Sequence, residues 1–220
     1  MTEIQKNIEI SFRLPTCLYL QNEHVFSIEP NIAVRVKEIR EDSDTRFGSV
    51  RNMEVCSDTD AAFRFTELTV IIPDLDSNIP DDNLLDVYNQ KIIEVTNKFI
   101  DTFRFFTGRH AIANIQDLKN ARRLSVRRVP GDIISQVIFS FGQGASMRTL
   151  VKLHTPEQHV KLQELLNDSL PLEQLFIMDA IRHYTLGHYL QSLVSAIIAL
   201  EITVNSHTNV KIPWIFKVFL

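Results

Sequence analysis

Apolar and polar residues alternate along two segments near the start of the chain. Ile8 to Leu14 and Ile32 to Lys37 have apolar side chains at every second position, which is typical of strands with one buried face. Phe63 to Ile72 is rich in β-branched and aromatic residues and stops at Pro73, and Ile133 to Phe141 has a similar composition. These four segments predict strands, so the first two thirds of the chain should be rich in β-structure.

The apolar period changes to steps of three and four residues after the acidic stretch Asp74 to Asp82. From Leu84 onwards the apolar residues form one broad stripe, which predicts a long amphipathic helix. Gly108 is a suitable residue for the C-terminal cap of that helix. Further along, Thr155 and Pro156 predict a hydroxyl N-cap and the first position of a short helix.

The chain ends in an Ala- and Leu-rich segment that predicts a helical hairpin, roughly Leu172 to His207. The first helix extends to about Tyr184, Gly187 interrupts it, and the second runs from about His188 to Asn205. Small residues on the second helix permit close approach of a neighbouring helix: Ser192, Ser195, Ala196 and Ala199. The pattern as a whole predicts an α+β protein, with a mixed β-rich domain and one long helix in residues 1–153 and a helical region in residues 154–220.

Composition agrees with a globular chain that stays outside the membrane. Of the 220 residues, 45% are apolar and 23% are charged, and the net charge is −4, so the chain as a whole is not built to bind a polyanion. The longest uninterrupted apolar run, Leu193 to Leu200, is shorter than the ~18 residues that span a bilayer. Two cysteines and no apolar leader indicate a cytoplasmic protein without a disulfide framework.

The hairpin resembles the helical pair of HEPN-type domains, and its Apea-like members in particular. The residues concerned are Asp179-Ala180-Ile181-Arg182, then Gly187-His188-Tyr189, then Val194 to Glu201. The resemblance implies a helical bundle, often dimeric, and many members of the superfamily are metal-independent ribonucleases that use an Arg and a His. That pair is expected on a helix after the hairpin, whereas the residues after Glu201 include His207 but no Arg. The bundle is therefore expected to be incomplete.

The residue types indicate one candidate catalytic pair and one carboxylate with an expected structural role. Arg182 and His188 have the spacing of a ribonuclease pair, in which the imidazole moves a proton and the guanidinium holds phosphate. They flank Gly187, so the alternative is a solvated turn. Glu201 lies among apolar neighbours and is expected to make a structural polar contact, because a buried carboxylate needs a partner.

A basic cluster stands out from the otherwise acidic chain, and it could neutralise a few phosphates of RNA. Its members are Lys119, Arg122, Arg123, Arg127 and Arg128. The alternative is a solvated surface, or pairing with the acidic stretch Asp74 to Asp82. The histidines do not form a metal site, because pairs such as His183 and His188 are five residues apart and would diverge on one helix. We expect no metal and no cofactor.

Two hypotheses for function remain. The first is an interaction or sensing module, in which residues 1–153 carry recognition and the C-terminal helices pair with a second copy, as a homodimer, or with another segment. The second is a metal-independent ribonuclease or RNA-binding relative of HEPN proteins in prokaryotic defence or stress. The sequence leaves open whether the chain is an enzyme, and if it is one, an endoribonuclease-like activity is expected.

Overall fold

The computed structural model describes residues 6–14, 18, 20, 23–41, 56–57, 63–75, 78–80, 83–109, 112–118, 122–129, 133–137 and 155–208. Backbone alone is described for residues 40, 41, 56, 57, 63–65, 122, 123, 133–137, 207 and 208. By its internal packing the chain divides into two compact units. The sheet unit comprises Met1–Phe99 and Asn114–Asn167, and the helical unit comprises Ile100–Ala113 and Asp168–Leu220.

The structure confirms the predicted α+β class. Its elements in chain order are β1 (Asn7–Arg13), β2 (His24–Glu29), β3 (Ile32–Glu41), β4 (Cys56–Ser57), β5 (Phe63–Pro73), α1 (Leu84–Thr107), β6 (Arg122–Val129), β7 (Ile133–Val137), α2 (Pro156–Asn167), α3 (Leu172–Thr185) and α4 (Tyr189–Thr208). The predicted strands correspond to β1, β3, β5 and β7, and the predicted helices to α1, α2, α3 and α4. The pattern missed β2, β4 and the strand character of β6.

The strands form one antiparallel sheet in the order β2-β3-β5-β1-β6-β7, and β4 also pairs with β5. The strands β2 and β3 are joined by Pro30 and Asn31, and Asn31 has a positive φ of 65°. Asparagine tolerates this left-handed conformation better than most residues, because its short polar side chain bonds to the local backbone. The turn therefore fixes the register of the hairpin at this edge of the sheet.

One face of the sheet is the core of the sheet unit. Ile8, Ile10 and Phe12 of β1 are fully buried, as are Val34 and Val36 of β3 and Leu68 and Val70 of β5. The N-terminal part of α1 contributes further side chains of zero exposure, including Phe99, whose ring lies 5.4 Å from that of Phe26 in β2. The period of two in the strands and the period of about 3.6 in the helix thus direct the two apolar surfaces into one core.

The ends of two helices agree with the residues that predicted them. Gly108 follows α1 with a φ of +68°, and its N–H donates to the carbonyl of Arg104 at 2.9 Å, which is a left-handed C-terminal cap. The short helix α2 begins at Pro156, and the N–H of Thr155 donates to the side chain of Gln158 at 2.7 Å. That reciprocal contact is the backbone half of a capping box.

Helix α2 contacts the edge strand β2 through side chains. The Gln163 amide accepts from the Ser27 N–H at 2.8 Å and donates to the Ser27 carbonyl at 2.9 Å, so it occupies both hydrogen-bonding groups of an edge residue. Beside it the rings of His24 and His159 lie 3.6 Å apart. The predicted boundary at 153/154 stays a prediction, while packing places α2 in the sheet unit and the end of α1 in the helical unit.

Candidate functional site

The turn between α3 and α4 is set by Gly187. Its φ is +78°, its N–H donates to the Tyr184 carbonyl at 3.0 Å, and the His188 N–H donates to the His183 carbonyl at 2.8 Å. These two bonds are the Schellman arrangement, which ends a helix and reverses the chain. The Ser192 hydroxyl of α4 then donates to a carbonyl of α3 at 2.8 Å. The small residue on α4 therefore permits the close approach that the sequence predicts.

Arg104 at the end of α1 anchors α3. Its side chain is 1% exposed, and its guanidinium pairs with Asp101 at 3.0 Å and with Asp179 of α3 at 3.2 Å. Asp179 is the first residue of the segment on which the HEPN prediction rests. The ion pair with Arg104 gives this residue a structural partner. A buried guanidinium needs such partners, because its charge cannot be removed by deprotonation in the accessible pH range.

The outer surface of α4 is apolar and open to solvent. Leu190, Leu193 and Leu200 are 69%, 57% and 63% exposed. Together with the partly exposed Ile197 and Val204 they follow one another at alternating steps of three and four residues. That spacing is the a/d seam of a helix that packs lengthwise on another helix. The Ala- and Leu-rich pattern of this segment predicts helices that can pair with a second copy, but the spacing of these exposed leucines is not part of that prediction.

Helix α3 also exposes apolar side chains. Ile177 and Ile181 are 38% and 39% exposed, and Tyr184 is 65% exposed. The Tyr184 ring lies 5.7 Å from that of Tyr189 at the start of α4. Ile177, Ile181 and Tyr184 again follow steps of four and three, so both helices of the hairpin present exposed apolar side chains at helical spacing.

The length and apolarity of α4 also meet the criterion for a membrane span. The window Tyr189–Ser206 is long and apolar enough by length and composition, and 11% of it is buried. The sequence expectation considered only the shorter uninterrupted run inside this window. One such helix is weak evidence for a membrane span.

The candidate ribonuclease pair is located at the hairpin turn. His188 is exposed, while Arg182 lies on α3, is half-buried, and has a buried Nε without a hydrogen-bond partner in the described part of the chain. The expectation that His183 and His188 diverge is wrong. Their ring centroids are 5.8 Å apart, because Gly187 separates them into two helices and turns the chain back. Glu201 is buried at 6% exposure, and its role as a structural polar contact stays a prediction.

The basic cluster is paired where its side chains are described. Arg128 binds Asp74 at 3.0 Å and the Ile79 carbonyl at 2.7 Å, which is the pairing with the acidic stretch that the alternative predicted. Arg127 binds Glu9 at 3.0 Å. Lys119 lies outside the described residues, and Arg122 and Arg123 lie in β6 with only their backbone described.

The polar face of the sheet surrounds a cavity of about 230 Å³. Four residues on four adjacent strands are register partners across it: Arg35, Thr69, Ser11 and Ser125. The Ser11 and Thr69 hydroxyls are 2.8 Å apart. The sequence pattern predicted a polar face for β1 and β3, but it gave no indication that β5 and β6 would complete a cavity there.

Charged side chains border this row of hydroxyl groups. Glu9 accepts a hydrogen bond from Arg35 at 3.1 Å and another from Arg127 at 3.0 Å, and its side chain is 12% exposed. Glu23 pairs with Arg35 at 3.4 Å and with Lys37 at 3.9 Å. Lys37 is also the register partner of Glu67, which completes the charged border that the structure describes.

Comparisons with known proteins give no further identification. No protein-family model, no curated protein and no solved structure matches the chain. The resemblance to HEPN domains therefore stays a prediction.

Proposed function

We propose that this protein is an interaction module that pairs with a second copy of itself through α3 and α4. The observation that carries the proposal is the exposed seam of α4, in which Leu190, Leu193 and Leu200 are each more than half exposed. A contiguous apolar surface on a soluble chain indicates an interaction site. Since the seam has the a/d spacing, the shape that fits it is another helix.

A second copy supplies the matching surface by symmetry. A two-fold axis beside α4 would place the same seam opposite itself, and the exposed residues of α3 would extend the contact into a four-helix bundle. Burying an exposed leucine stabilises by about 1.5–3 kcal/mol. The three exposed leucines of each copy therefore roughly offset an association cost of ~4–15 kcal/mol, and the α3 side chains add to this.

Charge favours a protein partner over a lipid surface. Arg182 is the single Lys or Arg between Leu172 and Thr208, a segment that also contains Glu173, Asp179 and Glu201. Helices that lie on membranes are rich in Lys and Arg on their polar face, because they are attracted to anionic lipids. The hairpin has the opposite charge balance.

The cytoplasmic location belongs to the same proposal. The chain has two cysteines in 220 residues, and a chain of this length buries enough apolar surface to fold without disulfide bonds. A module that pairs through helices rather than through disulfide bonds is suited to a reducing compartment. Localisation of the tagged full chain in fractionated cells checks this part.

The test is the molar mass of the full chain by size-exclusion chromatography with light scattering at micromolar concentration. Wild-type protein is expected to be a dimer, and the double variant Leu193→Glu, Leu200→Glu is expected to be a monomer, because four carboxylates would be buried in the seam. Val160→Glu is the matched control, since Val160 is 60% exposed on α2. This variant should remain dimeric.

A flotation assay with vesicles of neutral and anionic lipids distinguishes the other occupant. A wild-type chain that is monomeric and floats with vesicles would show that lipid covers the seam, and the proposal would fail. A dimer that stays at the bottom of the gradient supports it.

The ribonuclease and RNA-binding alternative stays a prediction. Within the basic cluster, side chains are described for Arg127 and Arg128, and both are ion-paired. No described contact of the cluster therefore favours RNA binding. Metal-free incubation with a mixed RNA pool tests it directly. Cleavage that is lost in Arg182→Ala and in His188→Ala would establish the alternative.

A further inference from the structure

We propose that the cavity on the polar face of the sheet binds a small zwitterion of about the size of a free amino acid. The cavity lies in the sheet unit, and the proposal is independent of pairing through α3 and α4. It rests on the shape of the cavity, on the way its border is held, and on the distribution of charge around it.

The cavity owes its shape to the lengths of the side chains. Its floor consists of short hydroxyl residues on three neighbouring strands: Thr69 on β5, Ser11 on β1 and Ser125 on β6. On one side the long side chains of β3 border it, and on the other side Arg127 of β6 does. A row of short residues bordered on the same face by longer charged side chains makes a basin out of a sheet surface.

The border of the cavity is held by ion pairs rather than left to move in solvent. Glu9 uses one carboxylate oxygen for Arg35 and the other for Arg127, at 3.1 and 3.0 Å. Each guanidinium has five N–H donors in a fixed plane, so both keep donors that Glu9 does not occupy. A site whose donors are oriented before binding loses less entropy when a ligand arrives.

The charges that border the cavity are balanced. Its described lining includes three cations and three carboxylates: Arg35, Lys37, Arg127, Glu9, Glu23 and Glu67. The two kinds of charge alternate, because Glu9 bridges Arg127 and Arg35, and Glu23 bridges Arg35 and Lys37. A ligand with both a carboxylate and an ammonium group matches such a border, whereas a simple anion would meet the three carboxylates.

The volume and the lining residues of the cavity narrow the class of ligand further. A volume of about 230 Å³ is below the ~300–1,000 Å³ of sites for drug-sized ligands. The described lining residues are all charged or hydroxyl-bearing. Hydroxyl groups on the floor can both donate and accept, so they suit the polar middle of such a ligand.

The experiment measures the melting temperature of the full chain with each free L-amino acid at millimolar concentration. Because a ligand that binds only the folded state raises its stability, at least one amino acid is expected to raise the melting temperature by roughly 2 °C or more. The dissociation constant of that amino acid is then measured by calorimetry. Its N-acetyl and amide derivatives, each lacking one charge, should bind at least about tenfold more weakly.

Three variants locate the site. Arg127→Gln should weaken binding of the amino acid at least about tenfold, and Lys161→Gln on the exposed surface of α2 is the matched control, which should leave the affinity unchanged. Ser125→Ile fills the floor without changing any charge. Since isoleucine favours strands, this variant should fold with an unchanged circular-dichroism spectrum and should not bind.

Several results would overturn the proposal. They are the absence of a shift with any amino acid, equal affinity for the singly charged derivatives, and full affinity in folded Ser125→Ile. Inorganic phosphate and glucose serve as further probes. If either raises the melting temperature while no amino acid does, the cavity binds an anion or a neutral sugar, and the zwitterion assignment is wrong.

Discussion

The polar face of the sheet and the outer face of the helical hairpin differ in how their side chains are partnered. On the sheet, Glu9 binds Arg35 and Arg127, and Glu23 binds Arg35 and Lys37, so charged groups are matched within the chain. On the hairpin, Leu190 and Leu193 are more than half exposed, and no described residue covers them. The charges of the first surface are paired within the chain, whereas the second surface leaves apolar side chains exposed.

The two surfaces also differ in how much free energy a binding partner would gain from them. An ion-paired surface gains little from a large partner, because its charges already have favourable contacts. An apolar seam gains from any partner that excludes water from it. For this reason we propose that the hairpin binds a second copy of the chain, and that the paired border of the sheet binds a small ligand that completes the remaining donors.

The largest expected effect contrasts a core side chain with a seam side chain. Phe99→Ala should lower the free energy of unfolding by about 3–5 kcal/mol, because Phe99 is fully buried and contacts Phe26. Leu193→Ala should change it by less than about 0.5 kcal/mol when the protein is dilute enough to be monomeric. Urea unfolding at nanomolar concentration measures both. Equal effects would mean that the seam is packed within one chain.

The next effect separates two neighbouring arginines on β6. The Asp74 side chain has no solvent exposure where it binds Arg128, so Arg128→Gln should destabilise the chain by about 3 kcal/mol by leaving a buried carboxylate without its cation. Arg127 is 43% exposed, and Arg127→Gln should cost under about 1 kcal/mol. Chemical unfolding of both variants checks this. A reversed order would contradict the assignment of Arg128 as structural and Arg127 as part of the cavity.

The smallest expected effect is a pH dependence at the contact between α2 and β2. Burial lowers the pKa of His24 below its ordinary value of 6.5, and the His159 ring lies 3.6 Å away. As the pH falls through about 6.5, the unfolded chain therefore takes up the proton before the folded chain does, and stability decreases until the folded pKa is reached. The melting temperature should be roughly 1–2 °C lower at pH 5.5 than at pH 7.5.

The matched control for the pH effect removes the titrating ring. His24→Phe keeps an aromatic group beside His159 and should flatten the pH dependence over this range. A profile that is unchanged in His24→Phe would assign the effect to another group.

The sequence predicted those parts of the fold that depend on local periodicity. Alternation located β1 and β3, and the stripe from Leu84 with Gly108 behind it located α1. Polar ends obscured β2, whose pattern from His24 to Glu29 is short and has a proline directly after it. Local signals also do not predict β6, because its four arginines indicate a charge cluster rather than a strand.

The candidate sites were harder to predict because they depend on contacts between distant segments. The cavity brings together Glu9, Arg35 and Arg127 from three strands, and no spacing in the sequence predicts that arrangement. The proximity of His183 and His188 was missed for a local reason. Five residues on one helix diverge, whereas five residues across a Schellman turn come back together.

The most direct test of the central claim is the mass of the wild-type chain in solution. Sedimentation equilibrium across nanomolar to micromolar concentrations should show a transition from the 25.4 kDa chain to twice that mass, and the transition should disappear in the Leu193→Glu, Leu200→Glu variant. A single mass of 25.4 kDa at every concentration, identical in wild type and variant, would contradict pairing through the hairpin.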